Sequence, residues 1–135
     1  MKITTIGRGN IGGGPAELWK KAGHEMTSLG HEGGDASGAD MVLVAVPGDA
    51  IEAALASVAG LESKTVIDTT NLYSGVRPPS GFASNAEYVK SATGGATAKA
   101  WNINFATLFD QVTDATTPPG TSGAATRRHA PRSRR

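Results

Sequence analysis

Lys2-Ile3-Thr4-Thr5-Ile6-Gly7-Arg8-Gly9-Asn10-Ile11-Gly12 joins a β-branched run to three glycines at the spacing G-x-G-x-x-G. The β-branched residues predict a strand. Beyond the glycines, Ile11, Leu18 and Ala22 recur at helical spacing, and Gly23 stands where a helix takes its terminal left-handed residue. Between a strand and a helix each glycine has a task. Gly7 makes the tight turn, Gly9 lets the backbone come close to a pyrophosphate, and Gly12 permits close packing of helix on strand. The amides at the helix start then face the phosphates, favoured by the positive end of the helix dipole. A glycine-rich turn without a ligand would read similarly, but its place in the strand-to-helix order favours dinucleotide binding. No Gly-Lys-Ser/Thr follows the glycines, which argues against a triphosphate-binding loop.

Further along, Glu25–Leu29 reads as a short second strand. Met41–Val46 is a continuous apolar run, as expected of a strand buried on both faces of a parallel sheet. Asp49-Ala50-Ile51-Glu52 has capping-box spacing and predicts a helix that starts at Asp49 and runs through Val58. Thr65–Thr70 is the next strand, Ser84-Asn85-Ala86-Glu87 predicts a capped helix to about Ala92, and Thr97–Asn102 is a last, weaker strand. The order predicts an α/β, Rossmann-like, doubly wound and mainly parallel sheet of about five strands. One connection is short. Residues 30–39 must link the second strand to the Met41 strand, a reach of at most about 33–36 Å, so the crossover has room for no more than a single helical turn.

The chain of 135 residues is the length of one domain, and its 39% hydrophobic and 19% charged residues suit a globular protein. It has no Cys and three scattered His, which excludes disulfides and thiolate metal sites and leaves no imidazole cluster. There is neither a signal-peptide pattern nor an apolar stretch of membrane-spanning length, so a cytoplasmic, non-membrane protein is expected. The net charge of +1 is divided. Residues 1–111 carry eight basic and eleven acidic side chains, a balance of −3, whereas 112–135 carry five Arg and one Asp, a balance of +4.

The choice of nucleotide depends on the end of the second strand, where NAD-binding domains place an acid on the ribose hydroxyls. Leu29-Gly30-His31-Glu32 has no acid at the strand end itself. Ser28 or His31 could meet a 2′-phosphate instead, which favours NADP(H) over NAD(H); a small shift of the turn would bring Glu32 to the ribose and reverse that choice. His31 reads equally as a solvated turn residue. His24, at the helix-to-strand turn, reads as structural, and Trp19 and Trp101 read as packing residues.

With these pieces placed, the sequence resembles the N-terminal domain of the deazaflavin-coenzyme:NADP oxidoreductases, a family related in fold to pyrroline-5-carboxylate reductase. The matching segments are Ile3–Gly14, Ala22–Glu25, Ala39–Pro47 with its Val44-Ala45-Val46-Pro47 ending, Asp68–Asn71 and Thr97–Phe105. The resemblance implies an oxidoreductase that orients a nicotinamide against a second carrier or small substrate, the deazaflavin coenzyme first. It also implies that Gly7, Arg8, Gly9, Asn10, Ile11 and Gly12 hold the cofactor, that Val46 and Pro47 line the wall near the adenosine or its ribose, and that Asn71 and Asn102 are candidates for the nicotinamide ribose and carboxamide. No catalytic acid or base is identified. A non-catalytic dinucleotide-binding module is the alternative.

The family pattern is matched over residues 1–111. Three departures lie inside it: the segment 31–39 is much shorter than in the family, His31 stands where the family has Arg, and Pro15 falls within the first helix, where it removes a hydrogen bond. Residues 112–135 turn to Thr, Pro, Gly and Arg and read as a disordered basic tail. A family member would continue there with elements that close the substrate site and build a dimer. The abrupt change reads as a frame shift or truncation rather than as a nucleic-acid-binding arm, and dimerisation is left open.

Overall fold

The structure, a computed structural model, describes residues 1–102, 116 and 123–125. Five parallel strands form the sheet: β1 (Lys2–Ile6), β2 (Glu25–Leu29), β4 (Met41–Val44), β6 (Thr65–Asp68) and β7 (Thr97–Ala100), in the order β2-β1-β4-β6-β7. This is the α/β, Rossmann-like architecture expected. Helix α1 (Asn10–Lys21) follows β1 and ends with Gly23 at φ 87°, in the terminal role predicted for it.

The shortened crossover is real. Between β2 and β4 the chain crosses over β1 with a two-residue strand, β3 (Gly34–Asp35), which pairs in parallel with β5 (Val58–Ala59) in a small second sheet. Lys64 Nζ holds this crossover by donating to the carbonyls of Ser37 (2.5 Å) and Ala39 (2.8 Å). The Ser37 amide and hydroxyl bind Asp35 and hold its carboxyl below the usual range.

Three strands stop short of the predicted ends. β4 ends at Val44, β6 at Asp68 and β7 at Ala100, each two residues early. Their last residues, Ala45-Val46, Thr69-Thr70 and Trp101-Asn102, leave the ladder at the carboxyl edge of the sheet. Trp101, at φ 58°, cannot continue a strand.

The helix predicted from Asp49 also differs. Gly48–Ala50 form a 3-10 turn, α2 covers only Ile51–Ala56, and the Asp49 side chain makes no capping bond. Tertiary contact overrides the local signal here: Gly48 is buried and its carbonyl accepts from Asn85 Nδ2 at 3.0 Å, while Val58 and Ala59 are drawn into pairing with β3. The capping box before α3 (Asn85–Thr93) does form, with Ser84 Oγ accepting from the Glu87 amide at 3.1 Å and Glu87 Oε2 from the Ala83 amide at 2.8 Å. Ser84→Ala should therefore cost about 1 kcal/mol of stability, read by urea denaturation. An unchanged midpoint would show that the cap contributes nothing.

Gly123–Ala125, placed in the disordered tail by the sequence reading, instead form β8, antiparallel to β7 at the edge of the sheet. Ala98–Ala100 present their backbone groups on that side, and a short stretch of any composition can pair with them. The boundary at residue 111 and the rest of the tail, residue 116 apart, lie outside the described residues.

The core is built from both faces of β4 and β1. Ile6, Val42, Val44 and Val66 are at most 1% exposed, and Ile51, Leu55 and Val89 close over them from α2 and α3; Leu43, equally buried, points to the other face. Pro15 is buried inside α1, which continues through it. Trp19 meets Trp101 edge-on, centroids 5.3 Å apart, so these two rings do pack on one another. His24 lies beside the chain's amino terminus, 3.4 Å from Nδ1. No helix among the described residues is long and apolar enough to cross a membrane.

Candidate dinucleotide-binding site

The chain leaves β1 on one side to form α1 and β2, then returns across β1 to form β4. The strand order therefore reverses between β1 and β4, and a crevice opens beyond their carboxyl ends. The glycine loop lies at its centre. Gly7 has φ 107°, its amide donates to Leu29 O at 2.9 Å, and a Cβ on it would overlap the Ala45 carbonyl. A Cβ on Gly12 would overlap the Gly7 carbonyl, so α1 sits directly on the loop. Gly9 differs from both. A Cβ there meets nothing within 4 Å, and the space above it is open. Gly9 is also the N-cap of α1, with no side-chain cap and no acid in the first turn, so the helix start keeps its amides and positive dipole end for an anion.

Two cavities flank the loop, separated by the Val46-Pro47 ridge that lines both. The smaller, about 430 Å³, lies toward β2, with Ile6, Gly30, Ala53 and Ala54 in its mainly apolar wall and Arg8 and His31 at its edge. The larger, about 640 Å³, lies toward β7, walled by Asn10, Thr70, Asn71, Tyr73, Trp101 and Asn102. Both sizes are those of small-molecule sites.

Of the residues singled out in the sequence, Gly7, Arg8, His31, Val46 and Pro47 meet at the smaller cavity, and Gly9, Asn10, Ile11, Val46, Pro47, Asn71 and Asn102 at the larger. Asn71 and Asn102 also touch each other, Asn71 Nδ2 donating to Asn102 O at 2.5 Å and Asn102 Nδ2 to Asn71 Oδ1 at 3.4 Å. Gly12 lies beneath the loop. Ser28 is not brought into either wall; its carbonyl accepts from Arg8 Nε and Nη2, both at 3.2 Å. The His31 side chain is fully exposed, with Nδ1 3.7 Å from Glu32 Oε2.

Several supports of the site escaped the sequence reading. Asn85, 2% exposed, donates through Nδ2 to Gly48 O and to Thr70 Oγ1 (2.9 Å), tying α3 to both loops of the larger cavity. Asp68 is fully buried at the end of β6, where it accepts from the Thr70 amide (2.8 Å) and from Lys99 Nζ (2.9 Å). Lys99 Nζ also donates to the Thr70 carbonyl. Asp68-Thr69-Thr70-Asn71 stood in the sequence as a polar run at a strand end, which is the one signal that could have marked this wall. Tyr73, 72% exposed, is the ionisable side chain of the larger cavity's described lining.

Two solved structures resemble the chain. One is a candidate F420-dependent NADP-reductase from Arthrobacter sp. FB24, with a TM-score of 0.64 and 23% identity over 80% of this chain. The other is a hypothetical protein from Sinorhizobium meliloti, with a TM-score of 0.60 and 23% identity over 81% of this chain. The chain spans 65% of the length of each. At this identity the likeness shows the fold. No family model and no curated protein matches the chain.

Proposed function

We propose that the chain is an NADP(H)-binding oxidoreductase domain of the deazaflavin-dependent NADP reductase type. The observation that carries the reading is the open, uncapped glycine loop between two cavities at the strand-order reversal. The residues present fit a dinucleotide. Gly9 leaves room for a pyrophosphate, Asn10 and Ile11 offer it helix-start amides, and the Val46-Pro47 ridge separates an apolar chamber for adenine from a polar one for nicotinamide. When bound, the cofactor supplies a hydride.

The protein's own part is orientation. Asn71 and Asn102, already paired, present amide groups suited to a ribose and a carboxamide, and Asn85 and Lys99 fix the loop that carries Asn71. Tyr73 and Trp101 wall the same chamber, where a second planar ring or a small substrate would meet the nicotinamide face. The deazaflavin coenzyme is the first-choice partner.

Trp101 makes the test direct, because a reduced nicotinamide in the larger chamber should quench tryptophan emission saturably. Titration of the chain with NADPH should show this, and absence of saturable quenching or of any binding would overturn the reading. Hydride transfer from NADPH is then assayed against deazaflavin, flavin and imine acceptors. Binding without turnover on any of them would favour a non-catalytic dinucleotide-binding module.

A further inference from the structure

We propose that Arg8 and Glu32 together set the choice of nucleotide: Arg8 receives the adenosine 2′-phosphate, and Glu32 occupies that receptor until the phosphate displaces it. The inference rests on the dinucleotide reading and goes beyond it, since the glycine spacing gives Arg8 no role of its own.

Arg8 projects from the glycine loop toward the end of β2. Ser28 O fixes its guanidinium through Nε and Nη2, and Nη2 also lies 2.5 Å from Glu32 Oε1. Nη1 makes no hydrogen bond among the described residues. The ion pair lies across Gly30 at the edge of the smaller cavity: a Cβ there would overlap Glu32 Oε2 and stand 3.1 Å from Arg8 Nη1. An anion is thus already seated where the outer edge of an adenosine ribose would come.

Its chemistry makes it exchangeable. The Glu32 carboxyl is held below the usual range by its own backbone amide, then by Arg8, so it is an anion throughout the neutral range. Yet the two side chains are 57% and 49% exposed, and an exposed pair of this kind is weak. A phosphate dianion brings more charge and more acceptors to the same guanidinium fork and displaces the carboxylate. Nη1 and the imidazole of His31, on the far side of Glu32, then give it further donors. A ribose hydroxyl cannot displace a carboxylate from Arg8. It leaves the pair in place and donates to Glu32. Glu32 therefore opposes NADP(H) and supports NAD(H), while Arg8 does the reverse for the phosphate alone.

Dissociation constants for NADPH and NADH, measured on the full chain and two variants, test this. Glu32→Gln should tighten NADPH about tenfold and weaken NADH, and Arg8→Leu should weaken NADPH about tenfold or more with NADH unchanged. Melting curves check that both exposed-site variants are folded. NADPH affinity unmoved by Glu32→Gln, or equal losses of both nucleotides in Arg8→Leu, would overturn the exchange while leaving the dinucleotide site intact. No saturable binding of either nucleotide by the parent chain would overturn both readings.

Discussion

Gly9→Val is expected to abolish NADPH binding while the chain still folds. Gly9 has φ −72° and ψ −176°, an extended conformation open to valine, and a Cβ there meets no atom within 4 Å. The branched side chain would stand in the opening over the start of α1, filling the approach to its amides. What the folded chain loses is a favourable N-cap residue, about 1 kcal/mol or less. Gly7→Ala is the counterpart. It must hold an L-residue at φ 107° and place a methyl group inside the Ala45 carbonyl, so β1 and β4 cannot keep their register. That combination should cost roughly 2–5 kcal/mol. Melting curves and NADPH titrations on both variants separate a loss of site from a loss of fold. Retained affinity in a folded Gly9→Val would remove the glycine loop from the site.

Lys99→Met should be the most destabilising change among the polar residues of the site. It leaves Asp68, fully buried, with the Thr70 amide alone to balance its charge. Stranding a buried charge costs about 3–5 kcal/mol; because the Lys99 side chain is 27% exposed and already partly solvated, the loss here should be nearer about 2–4 kcal/mol. Urea denaturation measures it, and Asp68→Asn in the same chain should restore part of the loss by removing the stranded charge. The ammonium also holds the Thr70 carbonyl, so, if the chain transfers hydride as proposed above, that rate should fall more than NADPH affinity as the Asn71 wall loosens. A loss below about 0.5 kcal/mol would mean that the pair behaves as a surface ion pair.

Much of the architecture was legible along the chain because it is local or periodic. The β-branched run of β1, the apolar run of β4, the Ser84 cap and Gly23 each announce an element within a few residues. The short crossover followed from chain reach alone. Less legible were the strand ends. Val46 and Asn102 were singled out as site residues yet read as the last residues of strands, because a strand ends where its neighbours stop offering backbone partners, which no local composition marks. The Asp49 capping box misled for a related reason: its signal is worth about 1 kcal/mol, less than the buried Asn85–Gly48 bond and the β3–β5 pairing that compete with it.

The glycine spacing and hydrophobic periodicity thus suffice for the α/β class, the parallel order and the location of the loop, since each depends on residues adjacent in sequence or repeated at a fixed interval. Partnerships across the sheet do not. Arg8 meets Ser28 and Glu32 only because β1 pairs with β2 in register, Ile6 opposite Leu29. Asn71 meets Asn102 only because β6 and β7 end side by side. β8 follows the same rule, as an edge left open by β7 accepted a segment whose composition signalled no structure. A charged or amide side chain is ready to bond any suitable group within reach, and what comes within reach is decided by strand register, which no local stretch of sequence contains.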